Sequence, residues 1–301
     1  MKQTPKLRRS GIGGSDMPAI LGLIQSRSAV DVYLEKLGRA PGFAGNERTE
    51  LGNLLEPVIA RIYSKRTGHK LEKMETLRHP EHSFIMANID RRIKGQDKGV
   101  ECKLVGAEMF LYSGKWGDEG TDEIPMEYMI QAQHYMLVTG WAEFDVAALF
   151  GTEFRVFTIK RDEDIIRHIL QSALAFWICV QTQTPPAAVS VDDMRSLYPA
   201  SNGLSVVADD ETRELVQRLH STVAEIDLRK EIKELLEIQI QDKMREATIL
   251  RGPEGEELCI WKEQTSERFD IARHAKEHPE THAEYMKETK TRVFRRKKVK
   301  Q

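Results

Sequence analysis

Cysteine is scarce in this chain of 301 residues: Cys102, Cys179 and Cys259 lie far apart and never as C-x-x-C. This excludes a zinc ribbon, an iron–sulfur clamp and a disulfide framework, and the three thiols are expected in the interior. Charge of one sign is lacking too, since 45 Lys and Arg face 47 Asp and Glu for a formal net charge of −2. A histone-like positive coat is thereby ruled out, so a polyanion would have to meet a local basic surface. No glycine-rich Walker loop is present, and no need for ATP is expected. No apolar run of about 18 residues is apparent, and the basic start MKQTPKLRRSG leads into no apolar segment. The expectation is a soluble, cytoplasmic protein without membrane association. Histidines form no H-E-x-x-H; His274 and His278 stand four apart without further ligands and read as solvated helix residues.

What is present suits a folded enzyme, with 40% hydrophobic residues. Basic runs mark both ends: Lys2, Lys6, Arg8 and Arg9, then Arg292, Arg295, Arg296, Lys297, Lys298 and Lys300. Each is either a solvated tail or a contact for DNA. Ser15 is expected to cap a short helix starting near Asp16, and Ser28 to cap AVDVYLEKL, which Gly38 ends. ERTELGNLLEPVIARIYSKRT shows helical spacing at Leu51, Leu55, Val58, Ile59 and Ile62, with Pro57 expected to kink it or mark a join. TLRHP, HSFIMANID and KGVECKL read as an antiparallel meander. A helix from Pro125 to Gly140, strands EFDVAALF and EFRVFTIK, and helix EDIIRHILQSALAFWICVQTQ follow.

This order predicts an α/β (α+β) fold with a mixed sheet flanked by helices over residues 1–186. Residues 187–301 read as a C-terminal extension. It begins with long charged helices after about residue 205, continues with strands in ATILRG, GEELCIWKEQ and TRVFRRKK around one helix, and ends in a basic tail.

Chemistry concentrates where Ile89-Asp90 is followed, after a basic turn, by Val100-Glu101-Cys102-Lys103. Alternate side chains of a strand share a face, so Glu101 and Lys103 project together while Cys102 points away. An antiparallel return would set Asp90 beside Glu101, giving two carboxylates suited to a hard cation such as Mg²⁺. Glu56, on the Pro57 helix, could supply a third oxygen or hold a metal-bound water. One or two ions there could activate water against a phosphodiester, with Lys103 placing the nucleophile or offsetting developing charge. Trp116, in GKWGDEG, reads either as a wedge for a DNA end or as a packed loop residue. His134 reads as a packing residue.

Asp90…Glu101-Cys102-Lys103, with Glu56 upstream and Tyr128-x-x-Gln131 downstream, resembles the PD-(D/E)XK nuclease superfamily, in particular the YqaJ-like viral recombinases related to lambda exonuclease. The likeness spans about residues 8–180 and departs in having Ile89 where the name motif has proline. It implies a restriction-endonuclease-like core and metal ligation by Asp90, Glu101 and the Cys102 carbonyl. It also implies catalytic roles for Glu56, Lys103 and Gln131. Gly13-Gly14-Ser15-Asp16 is similar to the family's N-terminal signature, which implies a 5′-phosphate pocket of Ser15 and Arg8, with Arg9 as the competing choice. The resemblance further implies a 5′ to 3′ exonuclease on double-stranded DNA using Mg²⁺ or Mn²⁺, two ions per site. Its products would be 3′ overhangs for an annealing protein, made by a homotrimeric ring. The alternatives are an endonuclease or RecB-like repair nuclease, and a non-catalytic DNA-binding or assembly protein. WKEQTSERFD…HPE…Y resembles tails of phage members.

Overall fold

Residues 5–40, 45–106 and 114–297 are described by a computed structural model. Lys2, Lys298 and Lys300 of the basic ends and residues 41–44 of the loop before the Pro57 helix lie outside them. The chain divides between Pro199 and Ala200 into two compact units.

The first unit opens with three short helices, α1 (Pro5–Arg9), α2 (Met17–Ile20) and α3 (Ala29–Lys36). The cap of α2 is Asp16 and not the expected Ser15, which is exposed; Ser28 caps α3 through a reciprocal bond with Asp31. Helix α4 (Glu47–Thr67) runs unbroken through Pro57, whose ring removes one donor without ending the helix. Its buried face is Ile59, Ala60 and Tyr63, and of the residues at helical spacing Leu51 and Val58 are exposed.

Five strands form the main sheet in the order β1 (Leu71–Glu72), β4 (Arg91–Ile93), β5 (Lys98–Val105), β6 (Glu143–Phe150), β7 (Glu153–Lys160). β5 and β6 are parallel and the other pairs antiparallel. The expected meander is corrected on one point: β2 (Leu77–Arg78) and β3 (Met86–Ala87) form a separate pair, and the short β1 and β4 take their place beside β5. Two- and three-residue strands lie below the length at which alternation can be recognised.

Helix α5 (Met126–Thr139) and helix α6 (Glu163–Thr182) cover one face with Phe144, Val146 and Phe157, and α4 covers the other with Val100, Ala147 and Phe154. Gly140 ends α5 in the left-handed region at φ 73, where a side chain is strained. Among the described residues α6 is the one helix long and apolar enough to cross a membrane, which corrects the expectation that no such run exists. Its Ile166, Ile169, Ala173 and Phe176 are buried in the core. Beyond Pro185 and Pro186 comes α7 (Val191–Leu197), tied back to the helix α3 cap by Ser28 Oγ donating to Asp193 at 2.5 Å. The first unit therefore reaches past residue 186. The cysteines are half-buried, not fully interior.

In the second unit, α8 (Asp210–Met244) is a single helix of 35 residues. A hairpin of β8 (Ile249–Arg251) and β9 (Glu257–Ile260) follows, then α9 (Ile271–Glu277) and α10 (Pro279–Glu284). Thr291–Lys297 forms no strand, against expectation. Alternation alone gives no strand without a ladder partner.

Candidate active site

Strand β5 carries the centre of the site. Val100, Cys102 and Leu104 pack toward α4, so Glu101 and Lys103 face α5. Lys103 Nζ donates to Glu101 Oε1 at 2.9 Å and to Gln131 Oε1 at 2.9 Å. Gln131 Nε2 donates in turn to the same Glu101 oxygen at 2.7 Å and to the Tyr135 hydroxyl at 2.8 Å. The Tyr128 ring lies 4.8 Å from the ammonium. Burial works against the charge of Lys103, but the Glu101 carboxylate outweighs it and holds the lysine above its usual range.

Asp90 stands just before β4, which pairs with β5 through Arg91 and Val100. Its Oδ2 accepts the Cys102 amide at 2.9 Å. Burial first, and then the Glu101 charge, drive the Asp90 carboxyl well above its usual range, with Glu56 adding to the effect and the Cys102 amide and Lys103 opposing it. The second Glu101 oxygen, Oε2, is buried without a hydrogen-bond partner. Two acids crowded under low exposure, one with a bare oxygen, fit a hard divalent cation that both would ligate.

Glu56 is placed differently. Arg91 binds its Oε1 at 2.6 Å and also donates to the Asp90 carbonyl, so the third acid is neutralised by an arginine at 9% side-chain exposure. Among the described residues no group of three or more His, Cys, Asp or Glu side chains could hold a metal as they stand. The structure thus gathers Asp90, Glu101, Lys103 and Gln131, and leaves Glu56 engaged beside them. Trp116 is buried against Tyr128, Phe150 and Phe157, which removes the wedge reading. His134 is fully buried, with Nε2 3.0 Å from the Met86 carbonyl.

The N-terminal signature builds a second cluster. Asp16 Oδ2 accepts Lys36 Nζ at 2.6 Å and the Gly13 amide at 3.1 Å. Arg27 bridges Asp16 at 2.9 Å and Glu35 at 2.7 Å, and Arg8 reaches Glu35 at 2.9 Å. Burial opposes the Asp16 charge, yet Lys36 and Arg27 prevail and lower its pKa to about 2. Three cations thus surround two acids. Arg8 retains 31% side-chain exposure, while Arg9 and Ser15 are exposed. Gly14 joins this loop to α5, because a Cβ there would stand 2.6 Å from the Tyr135 ring.

Comparison with known proteins identifies the family. A family model, the YqaJ-like viral recombinase domain, matches residues 5–142. The uncharacterized protein YqaJ of Bacillus subtilis (strain 168) is 33% identical over 305 positions, covering 97% of this chain and 92% of that protein. The chain belongs to the YqaJ-like viral recombinase family. Among solved structures it is similar to an alkaline exonuclease, LHK-Exo, from Laribacter hongkongensis. That match has 20% identity, a TM-score of 0.49, and coverage of 60% of this chain and 94% of that one. A phage related exonuclease from Haemophilus somnus 129PT matches at 17% identity and a TM-score of 0.44, covering 57% and 96% respectively.

Within this YqaJ-like chain, sequence reasoning passed over Tyr135, Arg91, Arg27 and Lys36. Tyr135 was accessible, as it lies four residues after Gln131 on the same helix face. Arg91 gave only the signal of adjoining Asp90. Arg27 and Lys36 meet Asp16, and Arg27 joins it to Glu35, only through the packing of α3 and the loop before it, which no local spacing announces.

Proposed function

We propose that this protein is a divalent-cation-dependent exonuclease that degrades one strand of double-stranded DNA 5′ to 3′ from its ends. Its product is a 3′ single-stranded overhang for recombination by annealing. The observation that carries the reading is the half-buried Asp90 beside the buried Glu101, whose Oε1 takes the Lys103 ammonium while its Oε2 has no hydrogen-bond partner. Membership of a viral recombinase family supplies the biological setting.

Asp90, Glu101 and the Cys102 carbonyl would hold Mg²⁺ or Mn²⁺, two ions per site; bound there, such ions neutralise phosphate charge and acidify a water. Lys103 keeps a proton at Nζ and would place positive charge where the oxygens of the pentacoordinate phosphorus gather negative charge. Gln131 fixes both Glu101 and Lys103, so their orientation is set before substrate arrives. Glu56 joins as a further oxygen ligand, or as a water holder, by exchanging its Arg91 partner. Arg8, Ser15 and Arg9 would receive the 5′-phosphate, helped by the cation surplus around Asp16 and Glu35. A homotrimeric ring, an annealing protein as partner and a cytoplasmic location complete the reading.

End-labelled linear duplex with a 5′-phosphate, the same duplex with a 5′-hydroxyl, and covalently closed circles are incubated with protein, with and without Mg²⁺. Cation-dependent loss of the linear phosphorylated duplex, abolished in Lys103→Ala and Glu101→Ala, supports the proposal. Cutting of closed circles assigns an endonuclease instead. Binding without any loss of DNA assigns the non-catalytic reading.

A further inference from the structure

The second unit carries aromatic side chains where burial would ordinarily put them out of reach of water. Trp261, Phe269, Tyr285 and Phe294 are 46%, 72%, 81% and 84% exposed. Each has an exposed cation one or two residues away: Lys262, Arg268, Lys287 and Arg295. The last of them opens into Arg295-Arg296-Lys297, all exposed. Exposed rings of this size forgo a large hydrophobic gain unless a partner covers them. Four repetitions of ring plus cation define that partner's chemistry: flat π-faces spaced along an anionic backbone. Unpaired nucleobases on a phosphodiester chain have both features, while the paired bases of a duplex hide their faces. Acids are interspersed with the cations from Glu263 to Glu288, including Asp270 beside Phe269 and Glu284 beside Tyr285, whereas residues 289–297 hold none. This suits a strand contacted at intervals, most strongly around Phe294, better than a uniformly anionic surface.

We infer that residues 261–297 form a binding surface for single-stranded nucleic acid, in which Trp261, Phe269, Tyr285 and Phe294 stack bases and the adjoining cations contact phosphates. The source of the strand rests on the exonuclease reading, in which an overhang is produced; the binding chemistry does not. Affinity on this surface is part stacking, insensitive to salt, and part counterion release, steeply sensitive to it.

The test is fluorescence anisotropy of the full chain with a labelled 20-nucleotide single strand and a matched blunt duplex in EDTA, so that hydrolysis plays no part. In Arg295→Ala/Arg296→Ala/Lys297→Ala, the slope of log affinity against log salt for the single strand should fall by about 2, at roughly 0.7 per lost contact. In Tyr285→Ala/Phe294→Ala, affinity for the single strand should drop by about tenfold or more at unchanged slope. Digestion of labelled duplex is measured separately, so loss of cleavage with binding intact counts against the nuclease reading alone. Unchanged affinity and slope in both variants would overturn the inference. So would equal losses for duplex and single strand, or a switch in which only binding to phosphatidylserine vesicles responds.

Discussion

Gln131 donates from Nε2 to Glu101 Oε1 at 2.7 Å, across 30 residues of sequence, while its own Oε1 receives the Lys103 ammonium. The amide thereby fixes an acid and a base against each other without charge of its own. In Gln131→Ala, fold is expected to survive and DNA hydrolysis to fall by about 10- to 100-fold, as orientation of Lys103 is lost. Circular dichroism and initial rates on labelled duplex separate the two effects. A rate equal to that of the unaltered protein contradicts the positioning role.

Asp90 is held well above its ordinary range by burial and by Glu101. A carboxyl raised in the folded state stabilises the fold fully below its unfolded value near 3.8, and that contribution is lost as pH climbs through the folded value. Charging it at neutral pH therefore works against the fold in the absence of cations. In EDTA at pH 7, Asp90→Asn is expected to melt a few degrees above the unaltered protein, the difference shrinking toward pH 4. An equal or lower melting temperature at pH 7 contradicts the crowding of the two acids.

His134 has the opposite linkage. Burial lowers its pKa to about 4, since protonation would place a charge in the core. The unfolded chain binds the proton near 6.5, so stability is complete above that pH and declines as pH falls from 6.5 toward 4. The full loss is about 3 kcal/mol at 1.36 kcal/mol per unit. In His134→Gln the decline across this window should flatten in urea titrations. An unchanged pH profile excludes His134 as its origin.

Much of the candidate site was legible in the sequence, and the reason is local. Strand alternation sets Glu101 and Lys103 on one side, and one helical turn separates Tyr128 from Gln131. The hairpin placing Asp90 was legible in outline only, because β1 and β4 are too short to show a period. Glu56 was located on the correct helix, but its partner was not, since Arg91 serves the neighbouring strand and was read as part of a basic turn. The helical spacing of Leu51, Leu55, Val58, Ile59 and Ile62 was legible, and Leu55, Ile59 and Ile62 do pack on the sheet beside Ala60 and Tyr63; Leu51 and Val58 lie on the exposed side of the helix.

The ion cluster at Asp16 makes a stability claim of its own. Removing the acid leaves the Lys36 ammonium, 1% exposed, with no carboxylate partner and only the Arg8 carbonyl to accept from it, and leaves Arg27, 16% exposed, with Glu35 alone. Asp16→Ala should cost about 3–5 kcal/mol in chemical denaturation, a large share of a typical domain's stability. A cost below about 1 kcal/mol contradicts the network. Lys36→Met paired with Asp16→Ala should recover part of the loss, because one stranded charge is removed.

The central claim is that Asp90 and Glu101 form a cation site, and calorimetric titration of the full chain with MgCl₂ and MnCl₂ tests it without recourse to DNA. The expected result is saturable binding in the unaltered protein, lost in Asp90→Asn and in Glu101→Gln while both variants remain folded. Equal binding in all three proteins, or none in the unaltered one, contradicts it.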